Sequence, residues 1–179
     1  MKYEILEKSK KIITGHTLHR IRALKDLYGG VKAGEFGGWI EAEDNLSQDG
    51  DCWVFDDAWV HGNAKVYGNA KVYGDAEVFG DAEVYDNAQV FDNAEVSDYA
   101  QVYGNAKVYG DAEVSDNARV YERAEVRDYA WVYDNAIICG DAIICGDAEV
   151  HDNATVYGDA VVCDAEVYDD ASVDYDVYK

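Results

Sequence analysis

Along most of the chain, apolar and polar positions recur every six residues. Valine or isoleucine falls at Val54, Val60, Val66 and Val72, and on the same step to Ile138, Ile144, Val150, Val156 and Val162. Alanine keeps this step from Ala58 to Ala160. One outward residue separates each Ala from the next Val, and an aromatic usually follows, as in Ala76-Glu77-Val78-Phe79. Ala-x-Val-aromatic alternates in, out, in, out, which is the period of a β-strand. The unit is completed by Gly-Asp, Gly-Asn, Asp-Asn and their kin, turn formers that tolerate left-handed backbone. The pattern therefore predicts a strand of about four residues and a two-residue corner. A hairpin array would reverse the chain at every corner. A coil of short strands stacked in parallel fits the repeat, and repetition of this kind marks a solenoid.

The unit Val72-Tyr73-Gly74-Asp75-Ala76-Glu77 resembles the hexapeptide repeat of left-handed parallel β-helices, and the resemblance covers residues 48–173. In that family three hexads make one triangular coil, so residues 18 apart stack. The left hand and the triangular section are what the resemblance implies. Residues 35–54, EFGGWIEAEDNLSQDGDCWV, are similar to the lead-in segment of uncharacterised bacterial and prophage repeat proteins. The fold expected is all-β, a left-handed parallel β-helix with a small N-terminal β cap. Residues 1–47 form the cap, 48–173 the solenoid and 174–179 a tail. Open β-edges aggregate, so both ends of such a rod need protection. The runs YEIL, IITGHTLHRIRAL and FGGWIEAE mix strand signals with Gly turns and supply the plug at one end. At the other end the unit Val162-Cys163-Asp164-Ala165-Glu166 has five residues, so the phase slips. The closing DDASVDYDVYK brings acids that discourage end-on stacking.

An 18-residue period sorts the outward residues into rows. One holds Phe55, Tyr73, Phe91, Tyr109, Arg127, Cys145 and Cys163. A second holds Tyr67, Tyr85, Tyr103, Tyr121, Cys139 and Tyr157. The third holds His61, Phe79, Ser97, Ser115, Tyr133 and His151, flanked by Trp59, Glu77, Glu95, Glu113, Trp131 and Glu149. Stacked aromatics stabilise a sheet, and they also serve as anchors for a partner. Asp98, Asp116, Asp134 and Asp152 stack on one corner, as a solvated edge with Asp chosen for the turn or as a binding row. Calcium needs converging oxygen ligands, which a straight row does not provide. Ile137, Ile143 and Val161 replace charged residues beside Cys139, Cys145, Cys163 and Tyr157. Such a cluster is either an interface, with a homodimer as its simplest form, or a patch covered by the C-terminal tail. Cys145 and Cys163 are neighbours at this period, bridged only where geometry and redox setting allow.

Charge adds a second division. The chain holds 15 Lys/Arg and 37 Asp/Glu, a formal net charge of −22. Residues 1–45 carry eight basic and seven acidic residues, leaving seven and thirty for the remainder, a net of −23. A strong anion is thus joined to a near-neutral head. Its surface repels nucleic acid and anionic lipid and attracts basic partners. The regular Val and aromatic residues argue against disorder. No run of eighteen apolar residues suggests a membrane span, and MKYEILEKSKK lacks the apolar stretch of a signal peptide. The expected location is cytoplasmic. Cys52, Cys139, Cys145 and Cys163 show no Cys-x-x-Cys pair and no zinc spacing, and reduced thiols follow from the compartment.

The resemblance brings acyltransferases and zinc carbonic anhydrases among the relatives, and both need histidine. The acyltransferase base sits near a loop that interrupts the coils. Here the hexads run unbroken from residue 54 to residue 161. His61 and His151 share a row but lie five coils apart, roughly 24 Å. His16 and His19, in GHTLHRIR, read as polar cap residues. No phosphate loop, serine nucleophile motif or pair of catalytic carboxylates stands out. The expectation is a non-catalytic acidic module, without cofactor or metal, that binds a basic surface on a nucleic-acid-binding protein. Its most concrete form is a phage-type inhibitor that mimics nucleic acid, by analogy with pentapeptide-repeat proteins, another solenoid type. The binding residues expected are Asp98, Asp116, Asp134, Asp152, Glu77, Glu95 and Glu113. The alternative is a structural protein that self-associates through its aromatic and apolar rows, and an acyltransferase-like enzyme comes third.

Overall fold

Each hexad supplies one short strand, and every third strand pairs in parallel. Val72, Val90, Val108 and Val126 follow one another in register, a step of 18 residues. A computed structural model describes residues 1–13 and 15–178. Thr14, within the IITGHTLHRIRAL run, and Lys179, the end of the expected tail, lie outside the described residues. The result is an all-β parallel solenoid with three walls. The first wall contains strands 59–60, 77–78, 95–96, 113–114, 131–132, 149–150 and 166–167. The second runs from 65–66 to 172–173 and the third from 53–54 to 177–178, on the same spacing until the last coil.

Most coil strands are two residues long, the outward residue and its Val, rather than about four. The aromatic and the Ala instead open and close a turn. Ala82 N–H donates to the Phe79 carbonyl at 3.4 Å, across Gly80 at φ 69°. Alternate N–H groups still reach the next coil through the corner. Glu77 donates to Ala94 at 3.0 Å, Phe79 to Val96 at 3.0 Å and Asp81 to Asp98 at 2.6 Å. The first corner residue holds a positive φ, which Gly and Asp accept more readily than other residues. Gly74 is needed for a second reason: a Cβ there would lie 2.9 Å from the Asp92 carbonyl oxygen in the coil beyond.

Inside, Val and Ala alternate without a gap. Val60 to Val162 and Ala58 to Ala154 are fully buried wherever the hexad holds, with Val66 and Ala160 barely touched by solvent. Each Val contributes roughly 1.5–3 kcal/mol by leaving water.

The N-terminal segment extends the first wall. β1 (Tyr3–Ile13) pairs antiparallel with β2 (His16–Ala23), and β2 antiparallel with β3 (Phe36–Ile40). β3 then pairs in parallel with strand 59–60. Tyr3, Ile21, Leu27 and Val31 join the same core as Leu46 and Trp53. Tyr3 meets Trp53 edge-on at 6.2 Å and donates its hydroxyl to the Leu46 carbonyl at 2.6 Å. The buried Lys2 ammonium donates to the Cys52 carbonyl at 2.9 Å.

At the other end the five-residue unit shortens the step. Glu149 pairs with Glu166, and Val162 with Val177. Val167 and Val173 remain buried. The tail does not fold back over the wall, because Val177–Tyr178 adds one more strand to the third sheet. Parallel pairing therefore begins before residue 48, at β3, and continues past residue 173.

Candidate functional site

The three walls share an interior and differ outside. On the first wall the outward residues run Trp39, Trp59, Glu77, Glu95, Glu113, Trp131, Glu149 and Glu166, each paired with the next. Equivalent positions on the second wall hold Lys65, Glu83, Gln101 and Arg119. Those on the third hold Lys71, Gln89, Lys107 and Glu125. Charges of both signs stand on these two walls, and one pair of them closes. The Lys107 ammonium donates to Glu125 at 2.8 Å and holds its carboxyl below the usual range. Glu95 is the reverse case. Partial burial, then the Glu77 and Glu113 carboxylates in register on either side, push its pKa up. Among the described residues neither Glu95 nor Glu113 has a cationic ion-pair partner.

Beside these glutamates runs the third expected row. His61 stacks on Phe79 at 5.3 Å, and Tyr133 on His151 at 4.8 Å. Ser97 and Ser115 separate the two stacks, so two coils carry no ring where Glu95 and Glu113 stand. The wall thus presents an acidic stretch at Glu95 and Glu113, with Phe79 on one side and Tyr133 and Trp131 on the other.

The expected corner row borders the same wall. Asp98, Asp116, Asp134 and Asp152 all hold positive φ, between 55° and 58°. Their carboxylates are partly occupied by the fold. Asp116 accepts the Asp134 N–H at 3.3 Å, Asp134 accepts the Asp152 N–H at 3.3 Å, and Asp152 accepts the Asp169 N–H at 3.0 Å. The residue type is explained by the corner itself: Asp tolerates the backbone and clips one coil to the next.

The second wall carries the tyrosine row as expected. Tyr67, Tyr85, Tyr103 and Tyr121 stack at 4.8–4.9 Å with nearly parallel rings. The Tyr67 hydroxyl donates to Glu83 at 2.9 Å. Tyr121 is pushed up to about 12 by its hydrogen bond with Cys139 and then by burial. The third wall stacks Tyr73, Phe91 and Tyr109 at 4.7 Å. These continuous ladders cover their sheets.

The expected self-association cluster divides across a corner. Ile137, Cys139 and Tyr157 lie on the second wall, whereas Ile143, Val161 and Cys145 lie on the third. Cys145 is only 3 % exposed and forms a disulfide with Cys163, so it offers no outward surface. Among the described residues Cys52 and Cys139 are free. Register explains the bridge, since Cys145 and Cys163 pair directly and their Cα atoms are 4.6 Å apart.

One grouping escapes the hexad pattern. β2 is antiparallel and outside the repeat, yet it brings His16 against His61 with ring centroids 4.6 Å apart. His16 Nδ1 lies 2.9 Å from a Glu41 carboxylate oxygen, and Glu41 accepts the Gly62 N–H at 2.8 Å. Burial raises the Glu41 pKa, but these two hydrogen bonds outweigh it and leave the carboxyl below its ordinary value. His61 and His151 lie on one wall far apart, as expected.

Among the described residues no helix is long and apolar enough to cross a membrane. The class defined by this architecture is a β-solenoid repeat protein. The family model described as the YdcK beta solenoid repeat matches residues 100–114 and 148–164, and the chain is similar to that family over those coils. No curated protein matches the chain.

Proposed function

We propose that the solenoid is a non-catalytic module whose first wall binds a basic protein surface. The observation that carries this is the Glu77–Glu95–Glu113 row, in register and with no cation for Glu95 or Glu113 among the described residues. Like charges directly opposite each other destabilise a sheet. A cationic partner relieves that repulsion, and a Lys or Arg side chain set between Phe79 and Tyr133 would lie beside aromatic rings.

Charge density supports nucleic-acid mimicry as the form of this binding. Eight rungs on the third wall span roughly 35 Å at ~4.8 Å each. A net of −23 over that length is one charge per ~1.5 Å, against ~1.7 Å for duplex DNA. The partner favoured is a nucleic-acid-binding protein, such as a defence enzyme blocked by a phage-type inhibitor, in the cytoplasm. The hexad pattern supports a left-handed coil of the hexapeptide-repeat type, and the packing of Tyr3 on Trp53 supports a capping role for the N-terminal segment.

The test is capture from a bacterial lysate on the immobilised chain, followed by challenge with salt and then with duplex DNA. Release of one nucleic-acid-binding protein by DNA, and its loss with Glu95→Gln plus Glu113→Gln, supports the reading. Retention despite DNA, or equal capture by the variant, overturns it. Self-association is the second reading, favoured by the outward Ile137 and Ile143. It requires a dimer in sedimentation that Ile137→Glu plus Ile143→Glu converts to monomer.

A further inference from the structure

We propose that His16, Glu41 and His61 form a binding site for a divalent transition-metal ion such as Zn²⁺, placed where the N-terminal hairpin meets the first coils. One ring nitrogen from each histidine and one Glu41 carboxylate oxygen lie within 4.8 Å of one another. Two imidazoles and a carboxylate suit zinc and its neighbours, and they leave at least one coordination position open. Calcium and magnesium prefer oxygen alone.

The second observation is independent of that clustering. His61 is 5 % exposed, and its Nδ1 is buried with no hydrogen-bond partner among the described residues. An unpaired buried polar atom costs free energy, so it calls for an explanation. His61 Nε2 lies 2.6 Å from Glu77, whose carboxylate accepts its proton. That bond fixes the tautomer and leaves Nδ1 as a lone pair, the arrangement in which a ligating histidine is oriented by an outer carboxylate. Glu41 is held in turn by the Gly62 N–H. Donors arrive from three separate chain segments: His16 opens β2, Glu41 follows β3 and His61 follows strand 59–60. An ion there ties the hairpin to the solenoid. The site shares Glu77 with the carboxylate row of the first wall but needs no partner protein.

Calorimetric titration of the chelator-stripped full chain with Zn²⁺ tests it. The expected result is one ion per chain, a higher unfolding temperature with zinc, and affinity weakened at least ~10-fold in Glu41→Gln and in His16→Gln. Glu41→Gln keeps the size of the side chain, and His16 is half-buried, so both variants are checked for an intact fold by circular dichroism. His151→Gln is the control, because His151 lies near acids of its own at Asp134, Asp152, Glu149 and Glu166. Absence of zinc binding overturns the proposal. So does binding that survives Glu41→Gln and His16→Gln but disappears with His151→Gln.

Discussion

The first wall and the second wall are built on one interior and finished differently. Val96 and Val102 are neighbours along the chain, one hexad apart, and both are fully buried. Outside, the second wall carries an unbroken stack from Tyr67 to Tyr121, with Lys65, Glu83, Gln101 and Arg119 alongside. The first wall breaks its stack at Ser97 and Ser115 and sets three glutamates in a row beside the break. The interior has one solution, because only small and β-branched side chains fill so narrow a coil. The exterior is free to vary, and the first wall departs there from the stacked pattern of the other two.

The largest effect tests whether the interiors are equivalent. Val96→Ala and Val102→Ala each remove two methyl groups from a site that cannot collapse, and each is expected to cost about 2 kcal/mol in chemical denaturation. Equal losses support a common core. A much smaller loss at Val96 would show that the first wall is slack inside as well as broken outside.

A smaller effect comes from exchanging the exteriors. Tyr103→Ala opens the continuous ladder and is expected to cost about 1 kcal/mol. Ser97→Tyr plus Ser115→Tyr does the opposite, joining Phe79 to Tyr133 through two new rings. That double variant is expected to unfold at a higher temperature than the parent and, under the proposed binding role, to capture no partner from lysate. Gain of stability with capture intact would overturn the proposed binding role of this stretch.

Much of this arrangement is written in the sequence. The six-residue step predicts short strands stacked in parallel, and the resemblance to hexapeptide-repeat β-helices implies the 18-residue register and with it the membership of each outward row. The strands are shorter than the alternation predicts, because Ala and the aromatic alternate like strand residues although they open and close a turn. The 18-residue period makes Cys145 and Cys163 neighbours, but it does not report their oxidation state. The His16–Glu41–His61 grouping was illegible for a different reason. Repeats predict neighbours only inside the repeat, and the pairing of β2 with β3 includes an irregularity between Arg20 and Arg22 that no spacing announces.

The smallest effect separates the walls by sign. Glu95 has a folded-state pKa raised by partial burial and by Glu77 and Glu113. A raised carboxyl favours the folded state when protonated, so its contribution is full below the unfolded value of about 4.3 and is lost as pH rises through the folded value. At neutral pH the ionised group therefore works against the fold, and Glu95→Gln is expected to stabilise by a few tenths of a kcal/mol, since solvent screens an exposed row. Glu125 on the third wall has a lowered pKa, through the Lys107 hydrogen bond. Its contribution is present above the unfolded value and lost as pH falls through the folded value, so Glu125→Gln is expected to destabilise at neutral pH by a similar amount. Thermal melts of both variants against the parent, at neutral pH and again near pH 3, give two differences of opposite sign that shrink together on acidification. Added salt narrows both. Should Glu95→Gln destabilise instead, the glutamate row is held by the fold, and the first wall is finished for stability like the other two.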